Sequence, residues 1–166
     1  AQFAHNLPRL VRASRGDRVD DQFAEKIMLA VTAVNECRYC TRYHTDLARE
    51  TGVDGATIDR ILESDIDAAV GEAERPALVF AQRYAAADES PGPEAVAELW
   101  AAYEPETARD IQAFVRAIYY GNLLGNSVDA VRFAASRRLR RARHRLRRGV
   151  AGAERALERV RDRCPV

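Results

Sequence analysis

Residues 21–50 read DQFAEKIMLAVTAVNECRYCTRYHTDLARE, and the fold of the chain turns on how this stretch is read. Phe23, Ile27, Ala30, Val31 and Val34 recur at the three- and four-residue spacing of a helix face, and Asp20 or Asp21 is a suitable N-cap. Asn35-Glu36 interrupts the pattern, Asn being tolerant of the left-handed conformation that ends a helix. A second helix is expected from about Cys37 to Glu50, stopped by Gly52. Two helices separated by so short a break pack as an antiparallel or sharply angled hairpin. On a helix turning about 100° per residue, Cys37, Cys40 and His44 project from one face, so that face carries two thiols and a base.

Helical spacing continues on both sides. Residues 1–20, with Pro8 and Gly16, predict a short helix and a loop. Asp54 caps a helix carrying Ile58, Ile61 and Leu62, and Pro76 suits the first turn of the next, where its missing N–H costs nothing. Ser90-Pro91-Gly92-Pro93 marks a break. Beyond it Val96, Leu99, Trp100 and Tyr103 define one helix. After Pro105, Ile111, Phe114, Val115, Ile118 and Leu123 define another. No stretch alternates with the period of a strand, so the chain is expected to be all-α.

After Phe133 the character changes. Leu139, Ala142, Leu146, Val150, Ala153, Leu157 and Val160 form one apolar seam in an Arg-rich background. Gly149 and Gly152 weaken a helix by roughly 1 kcal/mol each relative to Ala, which predicts a bend or break there. The expected division is a helical domain over residues 1–134 and a basic amphipathic extension over residues 135–166. The bland reading of the extension is a helix docking its seam on the core or on another subunit. The sharper one is contact with nucleic acid or acidic lipid by Arg137–Arg148, which salt would weaken.

Composition narrows the class. Of 166 residues, 47% are hydrophobic and 31% charged, with 26 basic and 25 acidic side chains for a net charge of +1. That balance reads as one globular domain and argues against nucleic acid as partner of the whole of it. No run approaches the roughly 18 consecutive apolar residues of a transmembrane segment. Residues 1–20 lack the charged-then-apolar layout of a signal peptide. Three cysteines are too few for a disulfide-stapled scaffold, and the close pair suggests redox or metal chemistry in a reducing, cytoplasmic compartment.

Four chemistries compete at the pair. A c-type haem needs His directly after the second cysteine, where Thr41 stands. Structural zinc needs four ligands, and Cys37, Cys40 and His44 provide three, with Cys164 or His144 as distant candidates. A thioredoxin-type motif needs a βαβ setting that the helical pattern denies. A dithiol on a helical scaffold remains, beside the reading in which two small, soft side chains merely fill a packing seam. Both sulfurs lie near the positive end of a helix dipole, which favours thiolate, and His44 lies one turn beyond Cys40 to exchange its proton. A thiolate attacks the O–O bond of a peroxide to give a sulfenic acid, and a neighbouring thiol condenses with it.

Glu25, Cys37, Cys40 and His44 stand in the order E-x11-C-x2-C-x3-H. With the flanking residues Ala24–Val31 and His44–Arg49, this resembles the AhpD-like alkylhydroperoxidases of the carboxymuconolactone decarboxylase superfamily. The resemblance is specific over Asp21–Glu50 and weaker over Glu72–Phe133, where Asn122–Asp129 looks like the family's later Asn-bearing helix. It implies an all-α, homo-oligomeric fold that reduces a hydroperoxide substrate without a cofactor. Electrons would come from a dithiol donor, either a lipoyl group or a thioredoxin-like protein. By the same resemblance Cys40 would become the sulfenic acid, Cys37 would be proton donor and disulfide partner, and Glu25 and His44 would form a proton relay. Without the motif, Glu25 beside Lys26 reads as a solvated surface residue. The family's best-known members carry a histidine between the cysteines, where this chain has Tyr39. Two other readings stand beside the peroxidase: a carboxymuconolactone decarboxylase-like enzyme, which does not require the CxxC pair, and a non-catalytic redox switch or interaction protein.

Overall fold

The computed structural model describes the backbone of residues 2–163 and the side chains of residues 6–132 and 135–140. Eight helices and no strand occur among the described residues: α1 (Gln2–Ala13), α2 (Asp21–Asn35), α3 (Arg38–Glu50), α4 (Gly55–Leu62), α5 (Ile66–Ala69), α6 (Arg75–Ala86), α7 (Gly92–Ala102) and α8 (Pro105–Arg163). The all-α expectation holds. Two compact units divide the chain, Ala1–Asn126 and Ser127–Val166.

In the first unit the organising element is α2. Asp20 caps it, its carboxylate accepting from the Phe23 N–H at 2.8 Å. The apolar spacing read from the sequence accounts for one face: Phe23, Ile27, Ala30 and Val31 are all buried. Glu25, Leu29 and Thr32 are buried as well, so α2 is surrounded rather than laid against a core. It packs most extensively on α6 and also on α3 and α4. Ile27, Leu29 and Val31 have no exposed surface, and each such side chain contributes about 1.5–3 kcal/mol of transfer free energy.

The turn between α2 and α3 differs in one detail from the sequence expectation. Asn35 stays helical, and the left-handed residue is Glu36, at φ 50° and ψ 34°. The amide of Asn126 donates to the Asn35 carbonyl at 2.8 Å. That bond satisfies a carbonyl the helix end leaves open, so the chain reverses one residue later. Glu36 has its side chain in solvent.

Asp54 caps α4 as expected, accepting from both the backbone N–H and the hydroxyl of Thr57. Those bonds hold its carboxyl below the usual range. Pro76 sits in the first turn of α6, and the break at Ser90–Pro93 separates α6 from α7. The single turn α5 was not anticipated. At the end of α6, Asp88 and Glu89 are left-handed (φ 47° and 72°), and their carboxylates accept from the hydroxyls of Tyr119 (3.2 Å) and Tyr120 (2.8 Å).

The backbone of α8 is helical through Gly149 and Gly152, so the break expected there is absent. The surrounding Arg, Ala, Leu and Glu residues are strong helix formers and offset two glycine penalties. Among its described side chains Val128, Val131 and Leu139 are exposed. The remainder of the seam, most of Arg137–Arg148, His144 and Cys164 lie outside the described side chains.

Candidate functional site

The motif residues of the sequence meet in the first unit, where α2, α3 and one turn of α8 come together. Cys37 is the N-cap of α3, in an extended conformation (φ −78°, ψ 100°). Its sulfur accepts from the Cys40 N–H at 3.3 Å, the bond that a Ser or Asp oxygen makes at an ordinary N-cap. The two sulfurs stand at disulfide distance, with Cα atoms 5.2 Å apart. Cys37 is completely buried and Cys40 is 5% exposed, so Cys40 is the sulfur nearer the surface.

One turn further along α3, His44 is 9% exposed. Its Nδ1 lies 2.8 Å from a carboxylate oxygen of Glu25, which is buried to the same degree. Glu25 precedes the end of α2 by ten residues and His44 follows the start of α3 by six, so only a hairpin return sets them side by side. The solvated reading of Glu25 is therefore not what the structure places there. Its neighbour Lys26 turns the other way and pairs with Glu74 at 2.8 Å. A buried carboxylate facing an imidazole fixes which nitrogen carries the proton: with Nδ1–H donated to Glu25, the lone pair sits on Nε2. Cys37, Cys40, His44 and Ala48 form the buried stripe of α3.

Of the third wall, the sequence reading has only the resemblance of Asn122–Asp129 to an Asn-bearing helix, and not its glycines. Residues 121–126 read GNLLGN, a Gly-Asn pair repeated after four positions, which puts both pairs on one face of a helix. The Gly121 carbonyl lies 3.9 Å from Cys40 Sγ. A Cβ at Gly125 would stand 2.7 Å from Cys37 Sγ and 3.2 Å from Cys40 Sγ. The backbone of α8 can approach the sulfurs this closely only where the side chain is a hydrogen. Asn122, fully buried, accepts from the Thr32 hydroxyl at 3.3 Å, and Asn126 holds the end of α2. The signal available beforehand was the repeat itself.

Outside this wall, Tyr39 and Tyr43 stack in parallel (centroids 6.2 Å apart, planes 7° apart), and the Tyr43 ring meets His44 edge-on at 5.2 Å. One of the two positions between the cysteines is thus an exposed aromatic, 66% accessible, standing apart from the buried Glu25–His44 pair. Among the described residues no group of three or more His, Cys, Asp or Glu is placed to hold a metal ion. The distant zinc-ligand candidates His144 and Cys164 lie outside the described side chains. No helix among the described residues is long and apolar enough to cross a membrane.

Fold and site together define an all-helical protein with a capped cysteine pair beside a buried carboxylate–imidazole pair. Residues 2–83, just under half of the chain, match the model of the carboxymuconolactone decarboxylase family, the superfamily of the AhpD-like proteins. The matched stretch contains Glu25, Cys37, Cys40 and His44 and ends before the Gly-Asn repeat of α8. Among curated proteins, none matches the chain.

Proposed function

We propose that the protein is a thiol-dependent peroxidase that reduces hydroperoxides through a Cys37–Cys40 dithiol/disulfide cycle. The observation that carries the reading is the sulfur pair at bonding distance on the same helix face as a histidine whose other nitrogen faces a buried carboxylate. A decarboxylase has no use for two sulfurs poised to join, and a plain switch has no use for a buried Glu–His pair beside them.

In the reduced protein, Nε2 of His44 takes up the proton of the dithiol, and Glu25 stabilises the imidazolium that forms. Cys37 holds negative charge well, because the Cys40 N–H already points at its sulfur and the α3 dipole adds to the field. Proton exchange between the two sulfurs then presents Cys40 as thiolate at the surface. That thiolate attacks the outer oxygen of ROOH, the O–O bond breaks, and RO⁻ leaves to be protonated as ROH. Cys40 now carries S–OH. The Cys37 thiolate attacks that sulfur, the S–O bond breaks, and hydroxide departs as water with a proton returned by the relay. A dithiol donor then supplies two electrons and two protons to reopen the disulfide.

In this reading residues 1–134 carry the chemistry, and residues 135–166 form a basic extension; assembly into a homo-oligomer and a cytoplasmic site of action belong to the same proposal. Consumption of an alkyl hydroperoxide supported by dihydrolipoamide is the test. Turnover is expected in the parent chain and its loss in Cys40→Ser and in Cys37→Ser. Turnover retained in Cys40→Ser, or none in the reduced parent chain, overturns the assignment.

A further inference from the structure

Reopening the disulfide requires a donor to reach Cys40, and the surface next to that sulfur has a distinct chemistry. We infer that the exposed face of the first two turns of α3, formed by Arg38, Tyr39, Arg42 and Tyr43, is the docking site for an acidic protein carrying the donor dithiol. This rests on the dithiol cycle proposed above and adds to it the partner class and the surface that receives it.

Tyr39 and Tyr43, 66% and 51% exposed, stack on one another, and Tyr43 also meets the His44 ring. They occupy positions one before and three after Cys40, so on a helix they border that sulfur on its solvent side. Two large aromatic surfaces left in water beside a reactive centre are the kind of anchor on which protein partners concentrate binding energy. Arg38 and Arg42 are exposed one turn apart on the same helix and have no carboxylate partner among the described residues. Arg9, Arg18, Arg75, Arg83 and Arg109 each pair with an acidic side chain; Arg12 and Arg15 are also exposed without a carboxylate partner among the described residues, and what sets Arg38 and Arg42 apart is their place on the helix that carries Cys40. The acidic groups nearest in sequence are Glu36, exposed in the preceding turn, and Asp46, 3.9 Å from Arg49. Unpaired cations flanking exposed aromatics favour a partner whose dithiol lies among carboxylates, and they accelerate its approach.

The burial difference sets the direction of exchange. A donor thiolate attacks Cys40, the more accessible sulfur; the Cys37–Cys40 bond breaks and Cys37 leaves as thiolate onto the Cys40 N–H. The second donor thiolate then attacks the donor sulfur of the mixed disulfide, which forms the donor disulfide and releases Cys40. Two electrons pass from donor to protein, and the two protons the cysteines need come from the donor thiols through solvent.

The experiment follows reduction of the oxidised full chain directly, with no hydroperoxide present. The reductants are three synthetic dithiol peptides of one length, their cysteines flanked by glutamates, glutamines or lysines, and dihydrolipoamide as a small neutral dithiol. The glutamate peptide is expected to react about tenfold faster than the lysine peptide at low ionic strength, an advantage that salt removes. Arg38→Gln/Arg42→Gln is expected to abolish that advantage, Tyr39→Ser to slow all three peptides, and neither to change the dihydrolipoamide rate. Equal rates for the three peptides, or variants that slow dihydrolipoamide equally, overturn the docking site while leaving the dithiol cycle intact. If the variants change subunit number and leave the peptide rates alone, the face belongs to a second copy of the chain and the inference fails. A disulfide that no dithiol reduces removes the cycle itself, an outcome distinct from charge-blind reduction.

Discussion

Glu25 is a carboxylate on a helix enclosed nearly all round, and burying it costs several kcal/mol unless a partner meets it. Its partner is His44 at 2.8 Å. Replacing Glu25 by Gln keeps the shape and removes the charge that orients the ring and stabilises imidazolium. Peroxide turnover is expected to fall by about 10²-fold with little loss of helicity, measured by initial rates beside circular dichroism. A Glu25→Gln enzyme as fast as the parent would remove the relay from the mechanism. Gly125 is the second residue with a sharp expectation. A methyl there meets Cys37 Sγ at 2.7 Å, and two bonded sulfurs cannot turn away as a flexible side chain does. Gly125→Ala is expected to destabilise the oxidised protein by about 1–3 kcal/mol, read as the midpoint of denaturant unfolding.

Among the elements, the α2–α3 reversal joins the two halves of the site. Glu36 holds a left-handed conformation that costs a residue with a side chain roughly 1 kcal/mol relative to glycine, and its side chain, exposed to solvent, makes no hydrogen bond or ion pair among the described residues. Glu36→Gly is therefore expected to stabilise the protein by about 0.5–1 kcal/mol, seen as a rise in Tm with the hairpin unchanged. Lowered stability would mean the left-handed turn is not under strain. The hairpin was legible because the apolar spacing of α2 and the spacing of Cys37, Cys40 and His44 are both short-range patterns along one helix. What the spacing did not disclose is that α2 is buried on a second face, through Glu25, Leu29 and Thr32, because that depends on which elements close around it. The role of Gly121, Asn122, Gly125 and Asn126 was hidden for the same reason: eighty or more residues separate them from the cysteines and from Asn35 that they meet. Glycines in a helix read as a local penalty until the sulfurs they admit are seen.

At the scale of the molecule, α8 also fastens the turn after α6. Tyr120 donates to Glu89, and that bond, more than burial, pushes its phenol up to about 12. An acid whose folded pKa is raised contributes stability that is whole below its unfolded value near 10 and is lost as the pH climbs through about 12. Stability is therefore expected to fall across that window and to fall less in Tyr120→Phe, followed by tyrosinate absorbance together with ellipticity. An unchanged alkaline transition in the variant would place the cause elsewhere. The break expected at Gly149 and Gly152 is the other large-scale lesson. Propensity costs of single residues are small against the sum over a helix of 59 residues, so a local penalty did not decide the outcome.

The dithiol cycle is tested most directly by the fate of the two sulfurs when the reduced protein meets one equivalent of an alkyl hydroperoxide, read by peptide mass spectrometry. The expected result is the loss of two hydrogens in a peptide joining Cys37 to Cys40, and in Cys37→Ser the gain of one oxygen on Cys40. Unmodified cysteines in the parent chain, or the oxygen found on Cys37 in Cys40→Ser at the parent rate, would contradict it.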